Sequence, residues 1–159
     1  MATALKNLSD YNSGELEDAS SLRIGIVVSQ WNEEITSALY QGAYQTLVNE
    51  GVKEENIYTY QVPGSFELAH GSKKMIHKHA PDAVIAIGSV IQGETKHFDF
   101  VCQATANGIM DLNTQTDVPV IFCVLTDNTL QQAKDRSGGK HGNKGVEAAV
   151  AALKMAQLS

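Results

Sequence analysis

A glycine-containing turn that leads into a histidine-bearing helix is the stretch of this sequence best equipped for chemistry. The apolar run 83–90 ends shortly before Gly93, and Thr95 can cap a helix that starts at Lys96 or His97. The N–H groups at such a helix start are unpaired and lie at the positive end of the helix dipole, where they bind anions. A histidine in the first turn can transfer protons near neutral pH. This stretch therefore predicts an anion site beside a titratable base.

Aromatic and polar side chains follow two other apolar runs and indicate a planar ligand. Trp31 is the only tryptophan, and at a strand-to-helix turn it could stack on a ligand or pack in the core about equally well. Phe66 would form a second aromatic wall. Glu67 could accept hydrogen bonds from ligand hydroxyls, although a carboxylate in a first helical turn more often complements the helix dipole. Taken alone, these residues indicate a site for a small planar, anionic or polyhydroxylated molecule.

Other common catalytic motifs are missing from the sequence. His77 and His79 are two residues apart on a predicted helix, so they point in different directions and do not suggest a metal site. Neither a nucleophile elbow nor a phosphate-binding P-loop motif occurs. The glycines at 138–139 lie near two lysines and could bind phosphate, but such a run is more often a linker. His97 by itself could equally be an ordinary exposed histidine.

Length and charge exclude several classes of protein. The 159 residues suit one globular domain, and no apolar run approaches the roughly 20 residues that a membrane helix needs. The N-terminal stretch lacks the apolar segment of a secretory signal. A net charge of −6 disfavours nucleic acid as a partner. Cys102 and Cys123 are interpreted as reduced core residues, so we expect a cytoplasmic protein that binds neither nucleic acid nor membrane.

The order of secondary structure elements predicts where the turns meet. Strands are expected at 22–29, 56–62, 83–90 and 120–125, each followed by a helix. Helix N-caps are expected at Asn32, Ser65, Thr95 and Asn128. This alternation predicts an α/β three-layer sandwich with a four-stranded parallel sheet. The ligand site of such a sheet lies beyond the carboxyl ends of its strands, which is where these turns fall.

The chain is expected to divide into an arm and a domain. Residues 1–21 are polar and predict an N-terminal arm that is poorly ordered unless something holds it. Residues 22–159 contain every predicted strand and helix without a linker, so they predict a single α/β domain.

The motifs at the strand ends resemble those of the lumazine synthase family, and the resemblance extends from about Leu22 to the C-terminus. They are Trp31-Asn32, the segment 62–68 (VPGSFEL), the segment 88–98 (GSVIQGETKHF), the segment 119–122 (PVIF), Leu125-Thr126, Arg136 and the segment 142–145 (GNKG). The resemblance implies a flavodoxin-like fold and the condensation of 5-amino-6-(D-ribitylamino)uracil with 3,4-dihydroxy-2-butanone 4-phosphate. The products would be 6,7-dimethyl-8-ribityllumazine, phosphate and water. No metal or redox cofactor is implied.

The resemblance also implies a role for each motif residue. His97 would be the catalytic proton shuttle, Phe122 would reach into a neighbouring subunit's site, and Arg136 would bind phosphate. The implied substrate-binding residues are Trp31, Asn32, Ser65, Phe66, Glu67, Ser89, Val90, Ile91, Gly93, Glu94, Thr95, Phe122, Arg136 and Lys144. Gln92 departs from the family pattern, which usually has Lys or Arg there, so attraction of the phosphate is expected to be weaker.

The family assembles as pentamers, some of which close into icosahedral shells. The resemblance therefore implies a homo-oligomer with active sites at subunit interfaces. The short loop 138–143 is compatible with a shell of about 60 subunits. The arm before Leu22 matches the segment that in the family adds a strand to a neighbour's sheet, which is an alternative to the disorder expected from its composition.

Three other functions fit parts of the pattern. A catalytically silent homologue could bind riboflavin or a lumazine, but it would need neither His97 nor Arg136. A flavodoxin-like electron carrier would need a hydroxyl- and glycine-rich loop at 29–32, and a signalling receiver domain would need clustered acidic residues at the end of the first strand. The sequence has neither feature.

Overall fold

The computed structural model describes residues 7–158. Its main sheet contains four parallel strands in the order β2-β1-β3-β4. The strands are β1 (Ile24–Ser29), β2 (Ile57–Val62), β3 (Ala83–Ile91) and β4 (Val120–Asp127). All four agree with the sequence-based expectation to within about two residues at each end.

The two central strands explain why their sequences are continuously apolar. All six residues of β1 and the first seven of β3 are buried, because helices cover both faces of the sheet. The edge strands β2 and β4 have partly exposed residues.

Five helices form the outer layers of the sandwich. They are α1 (Glu33–Asn49), α2 (Leu68–His79), α3 (His97–Gln115), α4 (Leu130–Arg136) and α5 (Lys144–Ala156). Leu39 of α1 and Leu153 of α5 pack in one apolar cluster with one face of the sheet. Leu68 of α2 and Ile109 of α3 pack in a second cluster on the other face. The predicted flavodoxin-like three-layer fold is confirmed.

The predicted helix caps differ from the observed ones. Asn32 precedes α1 with a left-handed backbone, and its side chain makes no capping bond. Thr129, not Asn128, caps α4 by accepting a hydrogen bond from the N–H of Gln132 at 3.2 Å. Ser65 lies in a 3-10 turn before α2 and does not cap it.

The segment 138–143 forms a small hairpin. Its strands are β5 (Ser137–Gly139) and β6 (Gly142–Asn143), paired antiparallel. Gly142 has a φ of +82°, which a residue with a side chain rarely adopts. Asn143 caps α5 by accepting from the N–H of Gly145 at 2.8 Å.

The described part of the N-terminal arm is held against the domain. Leu8 N–H donates to the carbonyl of His141 at 2.8 Å, and Ser9 Oγ accepts from Asn143 N–H at 2.9 Å. Glu15 pairs with Lys154 of α5 at 3.2 Å. The sequence predicted poor order unless something held the arm, and the polar residues of 7–21 have such partners on the domain. Residues 1–6 lie outside the described part.

The cysteines, the possible metal ligands and the helices of the described part were compared with the remaining expectations from the sequence. Cys123 is buried, and burial raises the pKa of its thiol to about 12, whereas Cys102 is only half-buried. Within residues 7–158, no group of three or more His, Cys, Asp or Glu side chains is arranged to hold a metal ion. None of the helices there has both the length and the apolar character required to span a membrane.

Candidate functional site

A cleft of about 710 Å³ opens at the carboxyl ends of β1, β2 and β3. Ten of the residues expected in the site line it together: Trp31, Ser65, Phe66, Glu67, Ser89, Val90, Ile91, Gly93, Thr95 and His97. The location follows from the parallel sheet, since all four strand-to-helix turns emerge at one edge.

Exposed aromatic rings form the mouth of the cleft. Trp31 is 71% exposed and Phe66 is 62% exposed. The turn that carries Trp31 is fixed, because Trp31 N–H donates to the carbonyl of Pro63 at 3.1 Å. The indole is therefore not a core residue, and its open face is suited to stacking on a planar molecule.

The end of β3 presents free backbone to the cleft. β3 pairs with β4 as far as Ile91, but it pairs with β1 only as far as Ile87. Beyond Ile87, the β1-facing edge lacks a strand partner, and Asn32 Nδ2 donates to the carbonyl of Ser89 there at 2.9 Å. The remaining edge could pair with the polar rim of a heterocycle.

Two serine hydroxyls at the cleft are buried and unsatisfied. Ser65 Oγ and Ser89 Oγ have no hydrogen-bond partner in the described part of the chain. The backbone of Ser65 is held by Thr105, whose hydroxyl donates to the Ser65 carbonyl at 3.1 Å. A buried hydroxyl left unpaired costs about 1–3 kcal/mol, which a ligand hydroxyl could recover.

Glu67 has a structural role in the turn at the cleft. Its Oε2 accepts a hydrogen bond from Gly64 N–H at 2.9 Å. This contact caps the 3-10 turn that precedes α2, and it also fixes the side chain where it lines the cleft.

The start of α3 forms the other end of the cleft. Lys96, not Thr95, is the N-cap residue of α3, but Thr95 Oγ1 accepts a hydrogen bond from His97 N–H at 3.3 Å. His97 is the first residue of a 19-residue helix and is exposed. Gly93 has open space around the position of a Cβ, so the turn leaves room for an anion beside the histidine.

Five expected site residues do not line the cleft. Asn32 donates a hydrogen bond to the Ser89 carbonyl, and Glu94 is exposed in the turn between β3 and α3. Phe122 lies on the edge strand β4 and is 38% exposed. Arg136 donates from Nη1 to the carbonyl of Gln132 at 2.9 Å. Lys144 forms a 2.6 Å ion pair with Glu147 within α5.

The cleft is also lined by three residues that were not among the expected site residues: Phe98, Phe100 and Val101. Phe100 and Val101 follow His97 by three and four residues, so they share its side of the helix. The helical spacing from His97 would have predicted Phe100 and Val101 as cleft residues. Pro63 and Gly64 also line the cleft and belong to the segment 62–68.

Comparison with known proteins gives a consistent result. A family model described as 6,7-dimethyl-8-ribityllumazine synthase matches residues 21–159. Proteins with that name in Christiangramia forsetii and Flavobacterium johnsoniae are each 60% identical over 99% of this chain, covering 95% and 83% of the relatives' lengths. One from Parabacteroides distasonis is 52% identical over 100% of this chain and 99% of its own length. The chain therefore belongs to the 6,7-dimethyl-8-ribityllumazine synthase family.

Proposed function

We propose that this protein condenses 5-amino-6-(D-ribitylamino)uracil with 3,4-dihydroxy-2-butanone 4-phosphate, the penultimate step of riboflavin biosynthesis. The products are 6,7-dimethyl-8-ribityllumazine, phosphate and water. One observation carries the proposal beyond family membership: a single cleft is lined both by exposed aromatic rings and by a helix start bearing His97.

The pyrimidine occupies the aromatic end of the cleft. Trp31 stacks on its ring, and the backbone of 89–91 pairs with its polar edge. Phe66 adds a second wall, while Ser65 and Glu67 hold the ribityl hydroxyls. The exposed indole and the unpaired edge of β3 support this placement.

The butanone phosphate occupies the opposite end. Gly93, Glu94 and Thr95 hold its phosphate at the start of α3, where the helix dipole favours negative charge. Arg136 binds the same phosphate and stabilises it as it leaves, and Lys144 adds positive charge nearby.

His97 transfers the protons that the condensation needs. The pyrimidine amine attacks the ketone to form an imine with loss of one water, and phosphate is then eliminated. Ring closure joins the remaining amine and carbonyl with loss of a second water. Holding both substrates in register supplies much of the rate, because it replaces a bimolecular encounter. The reaction requires neither a metal nor a redox cofactor.

The active unit is a cytoplasmic homo-oligomer whose sites lie at subunit interfaces. It is a pentamer, compatible with closure into an icosahedral shell, and each subunit has one catalytic domain (22–159) preceded by an arm (1–21). Phe122 supports shared sites, since it is exposed on an edge strand and does not line its own subunit's cleft. Phe100 and Met110 are further exposed apolar residues on α3.

The test is to mix purified protein with both substrates and follow lumazine fluorescence against the uncatalysed background. We expect an increase proportional to protein concentration. A catalytically silent homologue would instead bind riboflavin or a lumazine without accelerating the reaction, and that result would contradict the proposal.

A further inference from the structure

Asp127 is a buried carboxylate with an incomplete set of partners. It is the last residue of β4 and is 7% exposed. Its Oδ2 has no hydrogen-bond partner among the described residues, and its Oδ1 lies 3.7 Å from Arg136 Nη1. A buried carboxylate is costly without a nearby cation. Burial raises the pKa of Asp127, and the Arg136 guanidinium offsets this rise only in part.

The position of Asp127 connects it to the phosphate end of the cleft. In the sheet register Asp127 is opposite Ile91, which lines the cleft. Gln92 N–H donates to the Asp127 carbonyl at 2.9 Å, immediately before the turn at Gly93. The end of β4 is therefore tied to the segment proposed to hold the phosphate.

The contacts of Arg136 use only one of its nitrogens. Within the described chain, Nη1 both donates to the Gln132 carbonyl and faces Asp127. The Nε and Nη2 atoms form an edge of the guanidinium that does not include Nη1, and its two parallel N–H groups suit bidentate binding of a phosphate. The side chain is 29% exposed, so this edge can be reached from solvent.

We propose that Asp127 is a positioning residue that holds Arg136 Nη1 and thereby presents the Nε–Nη2 edge to the phosphate of the butanone substrate. This inference rests on the proposed function, in which Arg136 binds that phosphate. A fixed guanidinium loses less rotational freedom on binding than a mobile one. If Asp127 acted only through its charge, removing it would tighten phosphate binding, because a carboxylate beside the site repels the phosphate.

The experiment compares Asp127→Ala, Asp127→Asn, Arg136→Ala and the double variant Asp127→Ala/Arg136→Ala. The matched control is Asp135→Asn, which removes a carboxylate from α4 that contacts Gln131 rather than Arg136. For each protein, KM is measured for both substrates, together with kcat and the inhibition constant of inorganic phosphate as competitor. Circular dichroism checks that each variant is folded.

We expect Asp127→Ala to raise the KM of the butanone phosphate and the inhibition constant of phosphate in parallel, each about tenfold. The KM of the pyrimidine should stay within about twofold of the wild-type value. For the control Asp135→Asn, every measured constant should stay within about twofold of the wild-type value. Asp127→Asn keeps an oxygen acceptor and should recover part of the loss. In the Arg136→Ala background, Asp127→Ala should have no further effect on phosphate, since it acts through Arg136.

Each contrary outcome has a distinct meaning. Tighter phosphate binding by Asp127→Ala, an unchanged constant, or an effect that persists without Arg136 would each overturn the positioning role while leaving the synthase function intact. Failure of the wild-type protein to form lumazine would overturn the proposed function and the positioning role together.

Discussion

At the scale of the residue, exposure separates ligand-facing side chains from core side chains. Trp31 and Phe66 are large apolar residues left open to solvent at the cleft, whereas Ile26, Leu39 and Leu153 are completely buried. An exposed ring contributes little to folding because little of its apolar area leaves water. The rings at the cleft are thus free to be selected for binding.

We expect Trp31→Ala to weaken binding of the pyrimidine without destabilising the protein. Loss of ring stacking of about 1–3 kcal/mol corresponds to a rise in the pyrimidine KM of about 5- to 150-fold. The KM of the butanone phosphate should change little, and the thermal midpoint should stay near that of the wild type because the side chain is exposed. Trp31→Phe keeps an aromatic ring and should lose much less. An equal rise in both KM values would contradict stacking on the pyrimidine.

At the scale of the element, close packing between β3 and the turn before α2 fixes the floor of the cleft. A Cβ on Gly88 would lie 2.5 Å from Ser65 Oγ and 2.9 Å from Leu68 Cδ1. Leu68 is fully buried, so it has little freedom to move away. Only glycine lets the strand and the turn approach this closely.

We expect Gly88→Ala to lower the free energy of unfolding by about 1–3 kcal/mol through overpacking. Urea denaturation measures this change. Adding Ser65→Ala removes the nearest atom in the clash, and Ser65 Oγ has no hydrogen-bond partner among residues 7–158, so the double variant should recover part of the stability. Gly93→Ala is the control for stability, because nothing lies within 4 Å of its Cβ position. Equal stability of Gly88→Ala and wild type would show that the strand and turn shift at no cost.

At the scale of the whole molecule, one chain assembles most of the cleft but leaves Phe122 outside it. Phe122 does not line its own cleft and is exposed on the edge strand, where a second subunit can approach. If the neighbour's site needs this ring, a monomer is inactive. Light scattering at assay concentration tests that expectation, which an active monomer would contradict.

Complementation between two defective subunits gives a sharper test of shared sites. His97→Ala and Phe122→Ala homo-oligomers should each have low activity. In randomly mixed oligomers, roughly a quarter of the sites combine an intact His97 with a neighbour's intact Phe122, so activity should return. Mixing His97→Ala with a His97→Ala/Phe122→Ala variant is the control and should restore nothing. Mixed oligomers verified by native mass spectrometry but still inactive would contradict a shared site.

The sequence by itself determined the strand order along the chain and the fold class, and its resemblance to a known family identified ten residues that line the cleft. Apolar runs and helical periodicity are local signals, and parallel strands must place their carboxyl ends together. Local signals predicted the helix starts less accurately. Asn32, Ser65 and Asn128 were each expected to cap a helix, but none of their side chains makes that capping bond. Several nearby side chains can satisfy the same helix N–H groups, so tertiary contacts decide among them.

Only the tertiary structure decided how distant segments meet. The arm at 7–21 is polar in composition, and its order depends on partners in α1, α5 and the hairpin. The pairing of Asp127 with Arg136 joins a strand end to a helix end, and no sequence pattern marks it. The stacking role of Trp31 was left open by sequence, because exposure depends on what the rest of the chain covers.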